Sequence, residues 1–196
     1  MRTTGTPRAS SLPRRAAAAG VCLSLMLVLG ACSKSSKTGA PPGCTGKPTA
    51  MLEKGLALQL AGNTSDAQRC YQAVIAVDPQ NNVAFYDLGL IYDNAGQTSQ
   101  AETDYRQAIS IAPTYDPALY NLGRLVAKGN PTEAVGLYQR AIASNPKDAK
   151  AHFNLGLLYR AQKKTAQGNA EVQTAVDLDP TLKAGAISQG VPLSGK

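Results

Sequence analysis

Apolar side chains recur at helical spacing along most of the chain, and most clearly in residues 82–115. One predicted helix has its apolar face at i, i+3, i+4 and i+7, formed by Phe85, Leu88, Gly89 and Tyr92. A second face of the same kind is formed by Ala101, Tyr105, Ala108 and Ile109. The stretch therefore predicts two amphipathic helices joined by a turn at Gly96.

Proline and glycine mark one period through the rest of the chain. Prolines recur at intervals of 34, 33 and 34 residues, at Pro79, Pro113, Pro146 and Pro180. Glycines recur at intervals of 34, 34 and 33 residues, at Gly55, Gly89, Gly123 and Gly156. Two independent markers with the same period predict four structural repeats, at 48–81, 82–115, 116–148 and 149–182.

The repeat unit resembles the tetratricopeptide repeat (TPR). The resemblance rests on Phe85-x2-Leu88-Gly89-x2-Tyr92, then Ala101-x3-Tyr105, then Pro113. It implies an all-α fold, a right-handed α-solenoid of about four TPR helix pairs over residues 48–182. Residues 183–196 are expected to form a partial capping helix and a disordered tail, since a solenoid must cover its last apolar face.

The N-terminus has the order of a secretory signal peptide over residues 1–31. Arginines come first, an apolar run follows at 16–29, and small residues end the segment. The junction Leu29-Gly30-Ala31-Cys32 resembles a bacterial lipobox, which implies a diacylglyceryl group on Cys32 and cleavage before it. The alternative is an ordinary signal peptide with a cysteine nearby. The lipobox predicts export and lipid anchoring to a bacterial membrane.

Residues 32–47 are rich in Ser, Gly, Pro and Lys, which predicts a flexible tether. Two cysteines remain for an exported domain. Cys44 lies just before the first predicted helix, and Cys70 lies in the helix that pairs with it. A disulfide between them would staple the N-terminal end of the array; the alternative is two free thiols.

The formal net charge of +7 does not lie on the predicted repeats. Residues 48–182 contain 11 basic and 13 acidic side chains, so their balance is near neutral. This gives no support to nucleic-acid binding, which needs a basic face on the folded part. The cysteines have no paired C-x-x-C spacing and the one histidine is His152, so neither a metal site nor a cofactor is expected.

Catalysis also has no starting point in the sequence. His152 stands where the TPR pattern usually has a bulky aromatic residue, and we expect it to pack in the core. No acid, base or nucleophile of the array has a candidate partner at matching depth in its repeat. The chain is therefore predicted not to be an enzyme.

The TPR resemblance also implies a ligand groove, lined by the first helix of each repeat. The residues it assigns to the groove are Leu52, Leu56, Tyr86, Leu90, Tyr120, Arg124, Lys128, Lys150, Phe153, Leu157 and Arg160. They form an apolar, aromatic strip with positive charge in repeats three and four, which suits a peptide with apolar anchors and an acidic end. The alternative is that these residues belong to the scaffold alone.

The predicted function is a membrane-tethered, non-catalytic scaffold of the bacterial cell envelope that binds a protein or peptide partner. Some bacterial TPR lipoproteins serve as pilotins, which implies a role in assembling an envelope or secretion complex. The alternative is a regulatory or recruiting subunit for a cell-wall enzyme. Leu52 and Leu56 stand where chaperone-binding TPR proteins have Lys and Asn, so a cytosolic chaperone partner is disfavoured.

Overall fold

The computed structural model describes residues 39–194, which form an all-α array. Its helices are α1 Pro48–Leu60, α2 Thr64–Val77, α3 Asn82–Asn94, α4 Thr98–Ile111, α5 Asp116–Val126, α6 Pro131–Ser144, α7 Ala149–Ala161, α8 Thr165–Leu178 and α9 Lys183–Ser188. A 3-10 turn at Pro180–Leu182 precedes α9. The predicted all-α solenoid is confirmed. The predicted signal peptide and Cys32 lie outside the described residues.

The first eight helices form four pairs, and the pairs stack in chain order. Within each repeat the two helices pack on each other, as α1 does on α2. The second helix of each pair then packs on the first helix of the next repeat. Each repeat therefore buries its apolar faces only against its neighbours, as expected of a solenoid. Among residues 39–194, no helix combines the length and apolar character that crossing a bilayer demands.

Close approach within each pair depends on a glycine in the first helix. In repeat two the fully buried Tyr105 ring lies against Gly89. A Cβ atom at Gly89 would lie 2.6 Å from that ring, closer than side-chain packing allows. The period-34 glycine is thus required by the packing of the two helices.

The turns between paired helices use two different solutions. Gly62 and Gly96 have φ angles of +78° and +71°, and Lys163 takes the same left-handed conformation in repeat four, with φ 62°. Repeat three has a turn that is one residue shorter. There the Asn130 side chain accepts a hydrogen bond from the Glu133 backbone N–H at 3.2 Å and caps α6.

The N-terminal segment is less free than the composition predicts. Cys44 and Cys70 form a disulfide, with their Cα atoms 5.2 Å apart. Arg69 on α2 donates a hydrogen bond from Nη1 to the Gly39 carbonyl at 3.0 Å, and Pro41 is buried. A flexible tether over all of 32–47 is therefore wrong for residues 39–47, because these contacts hold that segment against α2.

The C-terminal end is likewise more ordered than expected. The predicted capping helix is present as α9, where Ala186 is fully buried among Val172 and Val176 of α8. The residues after it do not form a free tail: Val191 is only 5% exposed, and the Ser194 backbone N–H donates to Gln173 Oε1 at 2.9 Å. The expectation of a disordered tail is wrong up to residue 194, since its apolar side chains complete the last core cluster.

Candidate binding groove on the first helices

The first helices present a shared surface whose apolar end lies on α1. Leu52, Leu56 and Leu60 follow each other at intervals of four and therefore lie on one side of that helix. Leu56 is 51% exposed and Leu60 is 80% exposed, whereas Leu52 is half-buried against repeat two. Leu60 is absent from the predicted groove, although its spacing of four from Leu56 would have placed it there.

We call this surface, together with its continuation across the next two repeats, the groove face. It comprises Leu52, Leu56, Leu60, Tyr86, Leu90, Tyr120, Arg124 and Lys128. Direct contacts join its two tyrosines to the first helix of the following repeat. Asn121 Nδ2 donates to the Tyr86 hydroxyl at 3.3 Å, and Asn154 Nδ2 donates to the Tyr120 hydroxyl at 3.3 Å. The first helices of repeats two, three and four are thus joined in series by tyrosine–asparagine hydrogen bonds.

The tyrosines of the groove face are held rigidly and remain protonated. Tyr86 makes an edge-on contact with Tyr115, with ring centroids 5.4 Å apart, and a tilted contact with Tyr105 at 6.0 Å. Burial raises the pKa of Tyr86 and of Tyr120 above the ordinary value for tyrosine. Their hydroxyls are therefore neutral hydrogen-bonding groups over the physiological pH range.

The positive charge predicted for repeat three is largely taken up within the fold. Arg124 forms an ion pair with Asp93 of repeat two. Asp93 also accepts a hydrogen bond from the Tyr105 hydroxyl at 3.2 Å. Lys128 lies exposed beyond the end of α5 and keeps its charge on the surface. The groove face is therefore less basic here than the sequence implies.

The structure corrects the predicted groove in repeat four. Arg160 hydrogen-bonds to Asn169 and donates from Nη2 to the carbonyls of Gln189 and Gly190, at 3.2 and 3.0 Å. Phe153 and Leu157 pack against the cluster that α9 helps to form. These predicted ligand contacts serve the cap instead, so the open groove face is confined to repeats one to three.

Lys150, the remaining predicted groove residue, lies at a polar cleft beside the loops between repeats. The cleft has a volume of about 610 Å³, and its lining includes Tyr86, Tyr120 and Asp116. Asn145 Nδ2 donates to Asp116 Oδ2 at 2.9 Å. Burial raises the pKa of Asp116, with a further contribution from the nearby Asp148. Lys150 therefore lies at a cleft that combines carboxylates with the two tyrosines of the groove face.

His152 is buried, as expected, but it does have an acidic partner. Its Nδ1 lies 2.6 Å from Glu171 Oε2, and its Nε2 lies 3.2 Å from the Pro146 carbonyl. The expectation that no acid or base of the array has a candidate partner at matching depth in its repeat is therefore wrong for His152 and Glu171. Both ring nitrogens are engaged: the pair joins α7 to α8, and the contact with Pro146 joins α7 to the loop before it. Within residues 39–194, no three His, Cys, Asp or Glu side chains are grouped as metal ligands would be.

The stacked helix pairs and the groove face define a helical-repeat scaffold for protein–protein interaction. Residues 52–116 and 118–182 match the family model of the tetratricopeptide repeat. The chain belongs to the tetratricopeptide repeat family. Members of this family are generally interaction modules without catalytic activity.

Solved structures with this fold come from several bacterial proteins. MamA residues 41 to the end from Desulfovibrio magneticus RS-1 is 22% identical, with a TM-score of 0.62 over 75% of this chain and 88% of its own. The thermophilic TPR protein TTC0263 of Thermus thermophilus is 20% identical, with a TM-score of 0.59 over 74% and 84%. The pilF protein of Pseudomonas aeruginosa is 23% identical, with a TM-score of 0.60 over 68% and 61%. At these identities the likeness is one of fold alone, and no curated protein sequence matched the chain.

Proposed function

We propose that the protein is a non-catalytic, membrane-tethered scaffold of the bacterial cell envelope that binds a protein or peptide partner on its groove face. The observation that carries the proposal is the exposure of Leu56 and Leu60 on α1. Large exposed apolar side chains that adjoin one another mark interaction sites more often than plain surface. Leu90 and the tyrosines of repeats two and three occupy the corresponding repeat positions on their own first helices.

The disulfide supports export of the protein. Cys44 and Cys70 are bonded in the structure, and such bonds persist mainly in oxidising compartments outside the cytoplasm. This agrees with the signal-like order of residues 1–31. The two observations are independent, because one concerns the leader and the other concerns the folded array.

Cys32 is the proposed site of the lipid anchor. A thiol-linked diacylglyceryl group supplies two acyl chains, enough for stable membrane attachment. Cells that produce the protein should accumulate its precursor when globomycin blocks the lipoprotein signal peptidase. A Cys32→Ala variant should leave the membrane fraction. No accumulation of precursor, or a Cys32→Ala variant that stays with the membrane, contradicts the anchor.

The groove itself is tested by affinity capture from detergent-solubilised envelopes. The baits are the full chain, a Leu56→Asp/Leu60→Asp variant, and a Gln107→Asp control on the exposed side of α4. We expect the full chain and the control to retain one partner that the groove variant loses, with equal helix content in all three. Capture of the same proteins by all baits contradicts the proposal.

The identity of the partner then separates two roles. A component of a secretion pore or pilus supports assembly of an envelope complex. A cell-wall enzyme supports the alternative, in which the protein recruits or regulates that enzyme. Both roles use the same surface, so the bait variants serve for either.

A further inference from the structure

The series of tyrosine–asparagine hydrogen bonds is interrupted between repeats one and two. Asn121 and Asn154 each donate to a tyrosine hydroxyl of the preceding repeat. In repeat two, Asp87 on α3 occupies the position of these asparagines, and in repeat one Leu52 occupies the position of the tyrosines. A carboxylate offers only acceptors and leucine has no hydroxyl, so this hydrogen bond is not formed.

Asp87 consequently has an unused carboxylate within a half-buried, aromatic setting. The negative charge of Asp87 contributes to the raised pKa of three tyrosine hydroxyls, those of Tyr71 on α2, Tyr86 on α3 and Tyr115 before α5. Within residues 39–194 it has no hydrogen-bond or ion-pair partner, yet its oxygens are not sealed from the surface. Burial raises the pKa of Asp87 to about 6, as expected of an uncompensated carboxylate.

The surroundings of Asp87 on the groove face are apolar and negatively charged. Asp87 acts on the pKa of Tyr71, whose ring packs against Gly55, the residue before Leu56 on α1. Leu90 lies three residues after Asp87 on α3, and Glu53 is exposed one residue beyond Leu52. Lys54, the basic residue of α1, lies on the side that faces the N-terminal segment, beside Gly43. At the other end of the groove face the exposed Lys128 is positively charged, whereas Lys150 lies beside Asp148 and Asp179. The groove face is therefore acidic at repeats one and two and has a basic residue, Lys128, at repeat three.

We propose that Asp87 receives a lysine or arginine side chain of the partner, flanked by apolar residues that rest on Leu56 and Leu60. The inference rests on the proposed function and names the chemistry of the partner segment. A cationic donor supplies the hydrogen bonds that Asp87 lacks, and charge-assisted bonds of this kind are the strong ones. The polarity of the groove face also gives the segment one direction, with its basic residue over repeat two.

The test uses a phage-displayed library of random twelve-residue peptides, selected on the full chain. The same selection is run on Asp87→Asn, on Leu56→Asp, and on Asp104→Asn as a matched control. Asn is the residue at this register in repeats three and four, so Asp87→Asn keeps the fold. Asp104 is a half-buried carboxylate on α4, outside the groove face, and burial raises its pKa to about 6 as well.

We expect peptides selected on the full chain and on Asp104→Asn to share a basic residue flanked by apolar ones. Selection on Asp87→Asn should keep the apolar positions and lose the basic one, and a wild-type-selected peptide should bind Asp87→Asn at least tenfold more weakly. Basic enrichment that is unchanged on Asp87→Asn, or missing on the full chain, overturns the role of Asp87 alone. Peptides that bind Leu56→Asp equally well, or no enrichment on any bait, overturn the groove as well.

Discussion

Two glycines in neighbouring repeats meet opposite surroundings, and their replacement should have opposite effects. A Cβ at Gly89 on α3 would lie 2.6 Å from the Tyr105 ring, whereas a Cβ at Gly136 on α6 would meet nothing within 4 Å. Gly89→Ala should lower the free energy of unfolding by about 1–3 kcal/mol through overpacking. Gly136→Ala should raise it by about 0.5–1 kcal/mol through helix propensity. Urea unfolding measures both, and a Gly89→Ala protein as stable as wild type contradicts the packing described.

Two half-buried carboxylates should make the stability depend on pH. Burial raises the pKa of Asp87 and of Asp104 to about 6, whereas an unfolded chain has a value near 3.8. The folded chain therefore binds more protons between about pH 4 and 6, and stability falls as the pH rises through that window. At pH 7 each Asn variant should gain roughly 1 kcal/mol, allowing for solvent screening, and at pH 4 almost nothing. Thermal unfolding at both pH values gives the answer; equal gains at the two values contradict it.

One repeat position shows why a half-buried, unpaired carboxylate such as Asp104 could not be predicted from the sequence. Cys70, Asp104, Leu137 and Glu171 occupy equivalent sites in the second helices. Cys70 is bonded to Cys44, and Glu171 contacts His152. In repeat two the position equivalent to His152 is occupied by Phe85, which offers Asp104 no polar partner. The repeat period predicts the position, whereas the partner that fills it differs from repeat to repeat.

At the scale of elements, the His152–Glu171 pair joins α7 to α8 and lends itself to a double-mutant cycle. Loss of either partner leaves the other without its main contact, so His152→Leu or Glu171→Leu alone should cost about 1–3 kcal/mol. The double variant reproduces the residue types of repeat three, Leu119 and Leu137, and should recover most of that loss. Chemical denaturation of the four proteins gives the coupling free energy, and purely additive losses would show that the pair does not act as a unit.

The cap offers a second test at this scale. Ala186 is fully buried on α9, and Ala184 on the same helix is exposed. Ala186→Asp should detach the cap and expose Phe153 and Leu157, with a loss of about 2–4 kcal/mol and increased hydrogen exchange in α7 and α8. Ala184→Asp should change neither stability nor exchange by a measurable amount. Similar exchange in the two variants would show that the cap does not cover repeat four.

The ends of the array also show how far the sequence could predict these elements. The period and the glycine turns are local features, and they placed the helix pairs of α1–α8 correctly. The ordered segments at 39–47 and 189–194 depend on contacts between residues far apart in the chain, such as Arg69 with Gly39 and Ser194 with Gln173. Composition indicates flexible segments there because it carries no information about such contacts.

On the scale of the whole molecule, the same limit applies to the groove. The family pattern places its residues on the first helices, and repeats one to three keep them on an open surface. Repeat four does not, because Arg160 is bonded to Gln189 and Gly190 and its apolar neighbours support α9. The proposed binding surface therefore lies towards the N-terminal, disulfide-stapled end of the array.

Site-specific photo-crosslinking in intact cells tests the central claim, that the groove face binds a partner. A benzophenone amino acid is introduced at Leu56, at Leu90 and, as the control, at the exposed Gln107 on α4. We expect Leu56 and Leu90 to give the same crosslinked species and Gln107 to give none. Equal crosslinking from all three positions, or crosslinking from Gln107 alone, would contradict a binding role for the groove face.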